Sequence, residues 1–101
     1  MVTCYLRYVI DPYKLAEFER YARMVIPLAA KYGGTQHGYF LPHEGPNDIA
    51  VNLFSFPSLA EYERYRTAVR QDEVALAAWR YQAETRCVMR FDRSFMRPVL
   101  E

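Results

Sequence analysis

Leu15, Phe18, Ala22, Val25, Ala29 and Tyr32 recur at spacings of 3, 4, 3, 4 and 3. That is the repeat of one helix face, held over about five turns. Asp11 ahead of the stripe has the short carboxylate of an N-cap, and Pro12 suits the first helical position. Gly33-Gly34 supplies the stop. Pro27 lies inside the stripe and cannot bond the carbonyl of Arg23, which predicts a kink. The runs on either side have another character. Thr3 to Ile10, TCYLRYVI, is β-branched and aromatic and reads as a strand ended by Asp11-Pro12. Thr35 to Pro42 reads as a second strand and Ile49 to Phe56 as a third, with turn chemistry, HEGPND, between them.

The second half repeats the alternation. Ser58 to Glu61, SLAE, matches a capping box, and Tyr62, Tyr65 and Val69 continue as a helical stripe. Asp72 is placed to cap a further short helix carrying Val74, Ala78 and Trp79. From Glu84 to Arg97 apolar and polar residues roughly alternate and Pro98 ends the run, which predicts a long fourth strand. The order is β-α-β-β-α-β. With short connections and right-handed crossovers it predicts an α+β, ferredoxin-like fold: a four-stranded antiparallel sheet with helices on one face. The 101 residues make one domain, 1–101.

Composition narrows the partners. A net charge of +1 gives no electrostatic reason to expect nucleic acid or an acidic membrane surface. The longest apolar run, Met24 to Ala30, is seven residues, far short of the ~20 that span a bilayer. The N-terminus shows no basic region followed by an apolar stretch, and Cys4 and Cys87 form no C-x-x-C pair. A cytoplasmic protein with reduced thiols is expected.

All four glycines and both histidines fall between Gly33 and Asp48. The glycines suit a helix stop, a hairpin turn and, at Gly38, a bulge or close backbone approach. No phosphate-cradling glycine motif is present. His37 and His43 are six residues apart, about 20 Å along an extended strand. That is too far to share a metal held at ~2 Å by each ligand, so no metal or cofactor is expected. His37 and Tyr39, two apart on a strand, are expected on one face, where they pack across strands or relay a proton.

Parity sorts the central strands. Cys4, Leu6, Tyr8 and Ile10 share one face of the first, and Tyr5, Arg7 and Val9 the other. In the third strand the aliphatic set Ile49, Val51 and Leu53 is expected under the helices. Ala50, Asn52, Phe54 and Phe56 are then expected on the open face beside Tyr5 and Arg7.

A family resemblance joins these segments. GYF at 38–40, GPND at 45–48 and VNLFSFPSLAEYERYR at 51–66, with LAEF, IPLAAKYGG and the closing MRPV, resemble the NIPSNAP domain over nearly the whole chain. The resemblance implies a dimeric α+β barrel, in which two ferredoxin-like sheets face each other, and hence a homodimer. Proteins of that wider fold include antibiotic-biosynthesis monooxygenases, haem-degrading enzymes and polyketide cyclases, so no single reaction is implied. Family members often carry an acid, an Arg and a Tyr alternating on the first strand, and a His before the Leu-Trp of the third. Here Tyr5, Arg7 and Val9 stand in the first set and Asn52 precedes Leu53-Phe54, so only Arg7 matches.

Two functional readings follow. In one, the space between facing sheets holds a small aromatic or lipophilic molecule on Phe54, Phe56 and Tyr5, with Arg7 and Asn52 as polar anchors. Cofactor-free oxygenase or cyclase chemistry would then use His37, Tyr39 or Tyr5 for proton transfer. In the other, the chain is a non-catalytic interaction module and the same side chains only fill the dimer core. Arg86, Arg90, Arg93 and Arg97 do not share a parity and read as a charged edge.

Overall fold

In a computed structural model, residues 1–99 are described. The elements run β1 (Val2–Ile10), α1 (Leu15–Lys31), β2 (Thr35–Phe40), β3 (Ile49–Phe56), α2 (Leu59–Val69), α3 (Glu73–Thr85) and β4 (Val88–Met96). One antiparallel sheet has the order β2-β3-β1-β4. The three helices cover one of its faces and leave the other open, which is the ferredoxin-like arrangement. β2 and β4 are the edges, and the two most apolar strands are central.

The caps follow local chemistry. Asp11 accepts a hydrogen bond from the Tyr13 amide at 2.9 Å and opens one 3-10 turn, Pro12–Lys14, ahead of α1. α1 runs from Leu15 to Lys31 with Pro27 inside it. It closes in a Schellman motif: the Gly34 amide bonds the Ala29 carbonyl at 2.7 Å, and the Gly33 amide bonds Ala30 at 3.3 Å. Gly33, at φ +90°, makes the left-handed step. Ser58 caps α2 by accepting from the Glu61 amide. Asp72 caps α3, which is 13 residues long rather than short. The fourth strand starts at Val88, not Glu84, because α3 continues to Thr85 and ends on Arg86 in the left-handed region at φ 55°.

The face assignment of β3 is corrected by register. Cys4 pairs with Phe54, Leu6 with Asn52 and Tyr8 with Ala50. Partners across an antiparallel ladder point the same way, so Ala50, Asn52, Phe54 and Phe56 lie under the helices with Cys4, Leu6 and Tyr8. All four are buried. The open face carries Ile49, Val51 and Leu53 with Tyr5, Arg7 and Val9. Hydrophobicity could not tell these sets apart because both are largely apolar; pairing to β1 decides.

The pairing of His37 with Tyr39 is corrected by a bulge. Gln36 pairs with Phe54, yet Gly38 already pairs with Leu53, so His37 is an extra residue. Gly38 takes φ +146°, a conformation that favours glycine. The insertion separates the two side chains. The His37 ring meets Ser55 Oγ at 2.7 Å, beside the Thr3–Ser55 hydroxyl contact on the open face. Tyr39 lies opposite Asn52 and packs with Tyr8 and Phe18 under the helices.

Candidate functional site

A chamber of about 290 Å³ lies between the inner face of the sheet and the helices. Its floor is Leu6 and Tyr8 of β1 with Asn52 and Phe54 of β3. Tyr21, Val25 and Leu28 of α1 and Trp79 and Gln82 of α3 form the roof, and Tyr62 and Tyr65 of α2 close one side. Tyr39 of β2, Arg66 of α2, Arg70 at the α2 C-cap, and Phe91 and Arg93 of β4 complete the lining. Arg70, Phe91 and Arg93 are exposed, which marks the opening beside the β4 edge.

Sheet alternation and helical spacing create this lining. Leu6, Asn52 and Arg93 form one cross-strand row, and Tyr8 and Phe91 pair in the next. Tyr62, Arg66 and Arg70 recur every fourth residue along α2 and so share one side of it. That spacing was the signal for the arginines. It becomes readable only when α2 is known to overhang β4 rather than to face solvent.

The interior is aromatic with few polar groups. The Tyr8 and Tyr39 hydroxyls stand 3.4 Å apart and their rings stack at 6.2 Å. The Tyr21 hydroxyl lies near Tyr8, Gln82 and Trp79. Burial pushes the phenols of Tyr8 and Tyr39 well above their ordinary range, and pushes Tyr65 up to about 12. These hydroxyls are therefore neutral at physiological pH, hydrogen-bonding groups rather than bases. Asn52 is 4% exposed, and its Oδ1 is sealed from solvent with no hydrogen-bond partner. A buried, unpaired carbonyl oxygen costs about 1–3 kcal/mol, so this is a polar position the fold leaves unsatisfied.

The opening is positively charged. Arg66, Arg70 and Arg93 all bear on Tyr62, where their charge opposes the upward push of burial on its phenol. None of the three has a carboxylate partner among the described residues, and no Asp or Glu lines the chamber. Arg93 lies over the Phe91 ring at 5.4 Å, a contact that leaves the edges of its guanidinium free.

The residues singled out from sequence are divided by the sheet. Asn52 and Phe54 line the chamber, and Tyr39 also lines it through the bulge. Phe56 is buried next to Phe54, Tyr62 and Tyr65 but does not line it. Tyr5, Arg7 and His37 are outside it. Arg7 instead reaches its register partner Asp92, at 3.5 Å, on the open face. Tyr8, Tyr21, Tyr65, Trp79, Arg70 and Arg93 were not anticipated as site residues.

These features define a ferredoxin-like α+β protein with an aromatic chamber between sheet and helices. The NIPSNAP family profile matches residues 5–100, and the chain belongs to that family. A search of curated protein sequences finds no match. Among solved structures, the Agrobacterium tumefaciens protein Atu4242, a NIPSNAP family protein with unknown function, aligns with TM-score 0.85 at 18% identity, covering 99% of this chain and 95% of that one. An uncharacterised NIPSNAP domain protein from Burkholderia xenovorans aligns with TM-score 0.79 at 15% identity, covering 99% and 96%. A putative antibiotic biosynthesis monooxygenase from Nitrosomonas europaea aligns with TM-score 0.76 at 9% identity, covering 98% and 99%. At these identities the likeness is one of fold. No helix among the described residues is long and apolar enough to cross a membrane.

Proposed function

We propose that this protein binds a small aromatic or lipophilic molecule, and that the molecule sits in the chamber between sheet and helices rather than between two facing sheets. The observation that carries the reading is the chamber itself. Its volume of about 290 Å³ approaches the roughly 300–1,000 Å³ of small-molecule sites, which are likewise apolar with a few placed polar groups. In this reading Asn52 and Phe54 keep the ligand-contacting role expected of them, while Arg7 and Phe56 do not contact the ligand. Cofactor-free oxygenase- or cyclase-type chemistry would draw on the Tyr8–Tyr39 hydroxyl pair, not on His37 or Tyr5 across the sheet. The open face is assigned in the same reading to a second copy of the chain, as a homodimer.

Isothermal titration with 2-naphthol, a neutral two-ring probe, tests the site. One-to-one binding is expected for the wild type. Val25→Trp, which fills the roof of the chamber, should weaken it at least ~10-fold while circular dichroism shows the fold retained. If neither 2-naphthol nor its carboxylated analogue binds, or if Val25→Trp binds as well as the wild type, the chamber is not the site.

A further inference from the structure

We propose that the ligand of this chamber is an aromatic carboxylic acid, its ring system between the aromatic walls and its carboxylate among Arg66, Arg70 and Arg93. This rests on the chamber being a ligand site. The chamber has an asymmetric charge pattern: neutral aromatic and hydroxyl groups inside, three arginines at the opening and no acidic side chain in the lining. The three come from two elements, α2 and β4, that meet only in the folded chain. None spends its charge on a protein carboxylate among the described residues. Arginines used only for solubility would face away from the cavity; these border it.

The chemistry favours a single negative charge. A carboxylate matches the guanidinium fork with two parallel hydrogen bonds. Arg66 stands in the last turn of α2 and Arg70 at its C-cap. The carbonyl pole of that helix end partly offsets their charge and opposes any anion there, a dianion about twice as strongly as a carboxylate. Deeper in, Asn52 lines the chamber, and its side-chain amide is the polar group that a ring hydroxyl would meet. The volume admits one or two rings beneath an acid at the opening.

Three probes separate this inference from the reading beneath it: 6-hydroxy-2-naphthoate, 2-naphthol without the acid, and 2-naphthoate without the hydroxyl. In titrations at low salt, the hydroxy-acid should bind at least ~10-fold tighter than 2-naphthol, about 1.4 kcal/mol, because its carboxylate takes charge-assisted hydrogen bonds from the arginines. That advantage should shrink in 1 M NaCl, where screening acts within ~3 Å. It should vanish in Arg66→Gln/Arg70→Gln/Arg93→Gln, which should still bind 2-naphthol. Asn52→Leu should bring the affinities of the two acids together. Equal binding of 2-naphthol and the hydroxy-acid to the wild type would overturn the acid inference and leave the chamber reading standing. An advantage that survives the triple substitution would also overturn it. Binding of none of the three probes would remove both.

Discussion

Cys4 lies near the middle of the covered sheet face and is 2% exposed. Burial pushes its thiol up to about 11, although Arg93 and Arg66 pull the other way. The thiolate is the reactive species, and at pH 8 such a group is ionised only about once in a thousand molecules. Cys87 is also buried, and both cysteines are free. A disulfide reagent added to the native protein at pH 8 should therefore label neither cysteine on the timescale of minutes, and should label both after denaturation. Fast labelling of Cys4 in the folded protein would show that the β1 core opens. The same side chain shows how single residues resist sequence reading. Cys4, Asn52 and Phe54 have unlike hydropathies, yet all lie on the covered face because of the register between β1 and β3. Composition could nominate Asn52 and Phe54 as ligand contacts. It could not say which side of the sheet they serve.

Asp72 shows what an element end can hold. Its side chain is 1% exposed and accepts hydrogen bonds from the Val74 and Ala75 amides at 2.8 and 3.1 Å, from Lys31 Nζ at 2.6 Å and from the Tyr32 hydroxyl at 2.5 Å. It thus caps α3 and ties it to the end of α1. The bonds from Lys31 and Tyr32, then those from the amides, hold its carboxyl well below the ordinary carboxylate range against the effect of burial. A folded-state pKa below the unfolded one adds stability that is complete above the unfolded value, near 3.9. That stability is lost as pH falls from there toward the folded value. Asp72→Asn keeps a capping side chain but removes the charge. Urea melts should place its midpoint below the wild type at pH 7, with the gap narrowing at pH 3. A gap that is constant with pH would mean that the contacts from Lys31, Tyr32 and the two amides do not favour the charged carboxylate. The cap itself was readable from sequence, as were those at Asp11 and Ser58, because capping is local chemistry. The order of elements was readable for the same reason. The His37 bulge, the left-handed Arg86 and the convergence of Arg66 with Arg93 were not, because each depends on how separate segments meet.

The whole molecule is a two-layer body of about 36 × 32 × 18 Å, helices on one side and bare sheet on the other. The bare face presents Tyr5, Val9, Ile49, Val51 and Leu53, all only half-buried in the single chain, with Phe40 54% and Met96 52% exposed at its edges. Four strands at ~4.8 Å spacing and eight residues at ~3.3 Å give a face of roughly 500 Å², large for an apolar patch on a monomer. Two such faces bury about 1,000 Å², the lower bound for a specific interface. At ~25 cal/mol/Å² the gross gain is up to about 25 kcal/mol if all of it is apolar, against association costs of about 4–15 kcal/mol. Arg7 and Arg90 share Asp92 on this face, so the apolar surface carries one net positive charge that subtracts from the gross gain. We expect a homodimer joined through these sheets. Sequence parity pointed to Phe54 as the central contact, but Phe54 belongs to the covered core, where Phe54→Asp would damage the monomer fold. Leu53, on β3 opposite Tyr5, is the residue to change. Leu53→Asp places a carboxylate inside the interface while leaving the helix-side core untouched, and should weaken association at least ~100-fold, about 2.7 kcal/mol. Light scattering at tens of micromolar should give about twice the chain mass of 11.9 kDa for the wild type. Leu53→Asp should give the single-chain mass with an unchanged circular dichroism spectrum. A wild type that remains monomeric at that concentration, or a Leu53→Asp variant that dimerises as tightly, would leave the open face without the partner assigned to it.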